Sequence, residues 1–561
     1  MAERTIREQC EQRLTGMRAV RKPFEADWQE IARLALPGRS DFLMTRQATQ
    51  TKRRANTASH DSFGRRASRT LAYGMQSGLS PSSMPWFKLR TTDPELTEFQ
   101  PVKEWLAVVE DRIYKLFADI GIYDAFKIGY SELGCFGVSA TVMVEHPEYD
   151  AVAHPLTVGE YWLAADDGLR VDTLYRQSNM TVAQVMQSFA QSRISDNVKR
   201  AYEKGHTTAI VPVMHAIERN QDYDPTKMDM RGKRYRSIWW ERDCDKKGGT
   251  LRESGYNSKP FWAPRWETVG GDVYSDMAPG FDALPDLREM QLAARRRGRA
   301  MDMLVKPPMK APVSLAATPV SLDPGSFTFA NASDMEGLSP IFRPDYQTLN
   351  AIREAHNETR NDVGACFYND LFRAISEMEG VQPRNDLEMS LRNDEKYTQL
   401  GPVVDRVNIE QLEVAVDRAF AILDERGMIP PAPPDLNGRG LVVDFVSMLA
   451  QAQRASQNTA IERAARFVGF VAGLFPDAAI KFDAEQAIDE FASSTGVPPK
   501  IVRSDEVVAQ MKEAMQQQQQ MAQMAAMAQP MQQAAQAAEL LSRTNVGGGQ
   551  SALGQIMGQP T

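Results

Sequence analysis

The sequence predicts an α+β protein, mainly helical and built from several lobes, and three observations carry that prediction. Apolar residues recur at three- and four-residue steps over 1–36, 101–128 and 402–426, the spacing of one face of a helix. Between about 129 and 280 the texture changes to short runs of β-branched and aromatic residues separated by turn signals. A chain of 561 residues is also longer than one hydrophobic core usually covers.

In the first segment Leu14, Met17, Val20, Phe24, Trp28, Ile31 and Leu34 form the stripe, and LPGRSD at 36–41 ends it with proline and glycine. Residues 46–69 carry seven Lys or Arg against one Asp, a basic stretch that suits a solvated face, a DNA contact or a neighbouring subunit. Over 60–90 a helix of small residues runs into a Gly/Ser/Pro turn, and Trp86 and Phe87 open an extended segment. The helix over 101–128 puts Trp105, Val109, Ile113, Leu116 and Phe117 on its buried side. Strand-like runs follow at 138–145, 169–176, 207–218, 235–243 and 261–270, interrupted by a helix at 178–203 that Asn179 or Thr181 opens.

A polar helix over 284–306 stops at Pro307 and Pro308. A Pro/Gly-rich, strand-prone piece reaches about 343, and a second helix covers 345–375. Neither helix has a broad apolar face, so packing against further copies would complete them. The helix over about 402–426 ends before Pro430, Pro431, Pro433 and Pro434, and a short strand-like run and another helix come after. No catalytic cluster stands out in it. From about 505 the chain is of low complexity, and 514–538 is uncharged and dominated by Gln, Ala and Met. Disorder in the isolated chain and a helical bundle in an oligomer are both compatible with that composition.

The net charge of −8 excludes a globally basic nucleic-acid coat, although basic residues gathered on one surface could still meet DNA. Cysteines at 10, 135, 244 and 366 are too far apart for a zinc knuckle and too few for a disulfide scaffold, so reduced thiols are expected. The phosphate loop GxxxxGK[ST], the GxSxG elbow and HExxH are all absent, which argues against an enzyme. His146 and His154 lie eight apart without a nearby Cys, so no metal is expected, and the glycines at 129, 134 and 137 do not fit a dinucleotide fingerprint, so no cofactor is expected either. The start, MAERTIREQCEQR, is charged from its third residue, unlike a signal peptide. FVGFVAGLF at 467–475 is about half of what a bilayer crossing needs, so the expectation is a soluble protein without a membrane partner. Charge concentrates most at Arg295, Arg296, Arg297 and Arg299, which on a helix cover most of the circumference at about 100° per step. Such a run could meet DNA phosphates without regard to sequence, acidic residues of a neighbouring subunit, or solvent.

Five pieces in this order resemble the head-to-tail connecting (portal) proteins of short-tailed, double-stranded DNA bacteriophages. They are ASRTLAYGMQSGLSPSSMPWFKL at 67–89, GYSELGCFGVSATVMVE at 129–145, FDALPDLREMQLAARRRGRAMDMLVKPPMKAP at 281–312 and FYNDLF at 367–372. The fifth begins with LGPVV at 400–404, continues through AFAILDERGMIPPAPP at 419–434 and ends with VSMLAQAQR at 446–454. One departure stands out: where such proteins start the long helix with Thr-Ala-x-Glu, this chain has PRNDLEMSLR at 383–392 and keeps only Glu388. The departure falls on the start of the helix and the preceding loop.

The resemblance implies a ring, typically of twelve subunits, at one capsid vertex. DNA would pass through its channel, driven by a separate terminase, and the ring would later dock the tail. Each subunit would have a wing (1–280), two stem helices (281–306 and 344–375), a clip between them (307–343) and a channel loop with the helix start (376–397). A bridging helix with its proline stop (398–439), a crown (440–504) and the Gln/Ala/Met-rich tail (505–561) would follow. Channel or DNA-proximal candidates are then Arg295, Arg296, Arg297, Arg299, Glu377, Glu379 and Arg384, the last equally readable as a solvated loop residue. Candidates for partner docking on the clip are Lys306, Lys310, Phe327 and Phe329. The implied partners are further copies of the chain, double-stranded DNA, terminase, a tail adaptor, and capsid and scaffolding proteins. The implied location is the virion, after assembly in the host cytoplasm. Another non-enzymatic head component, an adaptor or internal core protein, is the alternative, and the length of the chain counts against it.

Overall fold

The computed structural model describes residues 5–38, 59–93, 96–97, 99–242, 249–306, 346–372, 400–436, 440–446 and 464–471, with shorter stretches and single positions elsewhere. The chain forms two units, one of residues 1–97 and 101–460, the other of 98–100 and 461–561.

Helix α1 (Ile6–Arg21) starts with a capping box: Thr5 Oγ1 accepts from the Glu8 N–H, and the Glu8 carboxylate accepts from the Thr5 N–H. Pro23 then sits in a short 3-10 turn before α2 (Glu25–Leu34), so the expected first helix comes in two pieces. Of its stripe, Leu14, Met17, Trp28 and Ile31 are buried, while Val20, beside the break, is exposed. Next come α3 (Phe63–Leu79), β1 (Phe87–Thr91), α4 (Gln100–Asp119) and α5 (Ile122–Phe136). The helix expected over 101–128 breaks at Gly121, whose φ of +63° is left-handed and favours glycine. Its five expected core residues, Trp105 to Phe117, are buried.

The β-rich stretch holds β2 (Ala140–His146), β3 (Asp150–Leu156), β4 (Tyr161–Ala165) and β5 (Val171–Thr181). Helices α6 (Val182–Ser188) and α7 (Asp196–Glu203), then β6 (Ile210–Arg219), β7 (Tyr235–Glu241), β8 (Arg252–Tyr256) and β9 (Phe261–Trp262), complete it. The strands form a three-stranded antiparallel sheet, β3-β2-β9, and a five-stranded antiparallel meander, β4-β5-β6-β7-β8. The helix expected over 178–203 is a correction. Asn179 stays in the ladder opposite Pro212, Thr181 caps α6 through a capping box with Gln184, and Ser195 caps a separate α7.

Side-chain alternation explains how the meander is covered on both sides. Met214, Ala216, Ile238 and Trp240 share one face and pack on Cys10, Leu14 and Met17 of α1. Val213 and Trp239, one position out of phase, pack on Val182, Val185, Phe189 and Val198 of α6, α7 and their connection.

The chain continues with the short α8 (Pro279–Asp282) and with α9 (Leu284–Val305), β10 (Met309–Lys310), β11 (Ser339–Pro340) and α10 (Tyr346–Cys366). β10 and β11, which follow α9 and precede α10 in the chain, pair antiparallel. The last described parts of this unit are α11, a continuous helix over 400–425 with a π-helical stretch at Asn408–Leu412, and β12 (Leu441–Phe445), which pairs antiparallel with β1. One large core joins α2 to α5, the β2 sheet, the bases of α9 and α10, and α11, with Trp28, Trp86 and Trp262 fully buried at its centre.

In the second unit a helix covers 464–471 and exposes Phe467 and Phe470, and the described residues 511–515 and 517–518 of the Gln/Ala/Met-rich tail are helical. Among the described residues no helix is long and apolar enough to cross a membrane.

Candidate channel helices and their anchor

Helices α9 and α10 pack against each other, and their burial is graded along their length. Near the body, Leu284, Leu287, Met290 and Ala294 of α9 are buried, together with His356 and Val363 of α10 and Phe367, Leu371 and Phe372 just beyond it. Farther out on α9, Met301 and Val305 are 47% and 71% exposed, and Leu292 is already 45% exposed. This pair therefore has a sealed base and an unsealed outer half.

Small residues bring the base close to α3. A Cβ at Gly74 would lie 2.1 Å from Cδ1 of Phe372, and one at Gly64 would lie 2.4 Å from Cδ2 of Leu287. Only glycine permits these approaches without moving the larger side chain. The small-residue run noted in the sequence is thus a docking face for the helix pair.

A polar clamp around Asp61 holds the same base. The Gln291 amide accepts from the backbone N–H groups of His60 (2.7 Å) and Asp61 (3.0 Å) and donates to the Asp61 carbonyl (2.8 Å). From α10, Arg360 donates to Asp61 Oδ2 through Nε (3.0 Å) and Nη2 (2.8 Å), and its guanidinium also lies over the Phe63 ring. His356 Nε2 is 2.8 Å from that oxygen, while Asp61 Oδ1 accepts from the Phe63 N–H at 2.8 Å. Burial alone would raise the Asp61 carboxyl; the Phe63 N–H and Arg360 outweigh it and hold the group below its usual value. Burial, then the Arg360 charge, pull the His356 imidazole down, with Asp61 opposing them. Arg288 adds an ion pair to Glu30 (Nε to Oε1, 2.7 Å), which is solvent-accessible and contributes little to stability.

Helix α11 is tied down as firmly. Glu410 accepts from the backbone N–H (2.9 Å), Nε (3.3 Å) and Nη2 (2.5 Å) of Arg265. Arg418, 0% exposed, donates to the Met143 carbonyl, to Ser258 Oγ (2.8 Å) and to Glu145 (2.9 Å). Arg406 reaches Thr268, Arg426 reaches Asp150 and the His146 carbonyl, and Trp105 Nε1 donates to the Pro430 carbonyl. These polar side chains of α11 serve the chain's own fold.

Among the described residues no group of three or more His, Cys, Asp or Glu side chains could hold a metal ion. A sequence profile described as bacteriophage head to tail connecting protein matches residues 7–502. The chain belongs to that family.

Two relatives cover nearly the whole length of this head to tail connecting protein. One, a probable portal protein of Bordetella phage BPP-1, is 36% identical over 523 residues, 92% of this chain and 93% of the relative. The other, a portal protein of Salmonella phage epsilon15, is 35% identical over 521 residues, 92% of each. A solved structure of a native gene transfer agent particle virion matches 81% of this chain and 94% of its own at 12% identity and a TM-score of 0.35, too loosely to carry an argument.

In this family member Arg295, Arg296 and Arg299 are exposed on α9 and have no ion pair among the described residues. Arg297 is half-buried and near enough to α10 for its charge to act on His356. Lys306 and Lys310 are exposed at the outer end of α9 and on β10. Glu377, Glu379, Arg384, Phe327 and Phe329 lie outside the described residues. Asp61, Gln291, His356 and Arg360 do not stand out in the sequence because they meet from three distant segments; the only local hint is Asp61-Ser62 placed before a helix.

Proposed function

We propose that copies of this chain, twelve as the family resemblance implies, close into a ring with a central channel at one vertex of a phage capsid. Double-stranded DNA passes inward through the channel during packaging, driven by a separate terminase, and outward at ejection. The outer end of the ring receives terminase and then the tail adaptor, and the rest meets capsid and scaffolding proteins. The role is structural and conductive, not enzymatic. The ring is built in the host cytoplasm and stays in the virion.

One observation carries the reading beyond family membership: α9 and α10 are sealed at the base by the Asp61 clamp yet expose Met301 and Val305 farther out. An apolar strip on an anchored helix pair is what a neighbouring copy would cover in a closed ring. The charge of −8 per copy supports passage over capture, because a negative ring repels DNA except where arginines such as Arg295, Arg296 and Arg299 recur as a band. Electron microscopy of the purified protein is expected to show rings with a central hole; monomers, or assemblies without a hole, would overturn the proposal.

A further inference from the structure

Between the end of the five-stranded sheet and the π stretch of α11 lies a cavity of about 750 Å³. A π turn inside a long helix displaces the side chains around it and often marks a binding site, and here it brings Ile409 and Glu410 into the cavity wall. Much of the polar lining already serves the fold. Glu410 is held by Arg265, Ser258 Oγ accepts from Arg418, Asn257 donates to Glu425, and Asn220 donates to carbonyls of the 230–233 turn.

The arginines are not used in this way. Arg170, Arg219 and Arg234 line the cavity, are exposed, and have no ion pair among the described residues. Burial and then the Asp172 charge push the Tyr235 phenol up, and the charges of Arg219 and Arg234 oppose them. Lys259 lies deeper and donates to the Val171 carbonyl at 2.5 Å. Burial pulls its ammonium down to about 8. On the α11 side burial, and then Glu413, push the Asp417 carboxyl up to about 6.

Size and sign together define the ligand. The volume suits several side chains rather than a single ion. A multiply charged phosphate would meet Asp166 and Asp417 as well as the arginines. A peptide brings carboxylates for the arginines and N–H groups for those two acids, and its carbon chain suits the Ile409 and Val414 wall. The chain itself is acidic, with 73 Asp and Glu against 65 Lys and Arg, so its own surface supplies such segments.

We infer that this cavity is the docking site for an acidic segment of a second copy of the chain, seated by Arg170, Arg219 and Arg234. The inference rests on the ring proposed above, in which identical copies meet side by side. Two measurements on the full chain test it. Arg219→Glu combined with Arg234→Glu is expected to weaken self-association at least about tenfold in sedimentation, the effect of removing interface arginines. Circular dichroism should stay unchanged, because both side chains are exposed. In the second, a photo-crosslinking amino acid replaces Tyr223, another cavity residue, in a mixture of isotopically light and heavy chains. The expected product joins light to heavy chain at an Asp- or Glu-containing peptide. Wild-type association by the double variant, crosslinks confined to one chain, or crosslinks to a different protein would each overturn the inference. If wild-type rings form and these results still appear, only the docking site fails; if no wild-type rings form, the ring itself is wrong.

Discussion

Replacing Asp61 by alanine should loosen the α9–α10 pair at its base, and the structure gives the size of the effect. The Asp61 side chain is 3% exposed and makes three contacts: the Phe63 N–H, the Arg360 guanidinium and the His356 ring. A buried bond to a charged group contributes about 1.5–3 kcal/mol, and the Arg360 share is reduced because that side chain still reaches solvent. With the Phe63 N–H left unsatisfied, the loss comes to about 2–3 kcal/mol of local stability. For amides of α10 over 356–366 that means hydrogen exchange faster by roughly 30- to 150-fold, while α6 and α7 are unaffected. The sign of the pH dependence follows from the two depressed groups. His356 favours its neutral form in the fold, so its contribution is present above its ordinary value near 6.5 and is lost as pH falls below it. Asp61 favours its ionised form, so its contribution is present above about 4 and is lost as pH falls through its lower folded value. Acid should therefore loosen the wild-type base in two stages, and Asp61→Ala should remove the second. Exchange within twofold of wild type over 356–366 would refute the clamp.

Four further outcomes are expected. Gly74→Ala should cost about 1–3 kcal/mol by overpacking, and Phe372→Leu in the same chain should recover much of it; additive losses in urea melts would mean the two do not press on each other. Glu410→Ala should cost about 3–5 kcal/mol because it leaves Arg265 buried without its carboxylate, with Glu410→Gln milder; equal losses would remove the charge from the explanation. Burial raises the Glu110 carboxyl to about 7, so its contribution is full below its ordinary value near 4.3 and is lost as pH rises through 7. Glu110→Gln should flatten that part of the stability–pH curve, and an unchanged slope would assign it to another group. Replacing Arg295, Arg296 and Arg299 together by glutamine should leave rings visible in micrographs but reduce DNA packaging; normal packaging would take these arginines out of the DNA path.

Periodicity makes several elements legible from residue order alone. Trp105, Val109, Ile113, Leu116 and Phe117 are buried as their spacing requires, and α9 stops where Pro307 and Pro308 forbid more helix. Breaks inside elements are harder to see, because a single residue decides them against a longer pattern. Gly121 splits one helix by taking a left-handed conformation, and strand pairing with β6 overrides the helical reading of 178–181. The exposed Arg295, Arg296 and Arg299 can be found because they are adjacent in sequence. The Asp61 clamp cannot, since Gln291, His356 and Arg360 come from positions 230 to 299 residues away from Asp61 or its neighbour.

The family, the mixed helical and β-rich layout, the two polar helices and their arginine run all follow from residue order, because motif order, periodicity and proline stops are local properties of a chain. What the charges on the long helix do is settled by tertiary packing alone. Arg418 and Glu410 become ties within the fold only when Met143, Glu145, Ser258 and Arg265 are brought beside them. The same folding leaves Arg170, Arg219 and Arg234 without ion-pair partners around a cavity, among the described residues. A charge has a fixed sign in the sequence, but its partner and its exposure to water are set by the packing of distant segments.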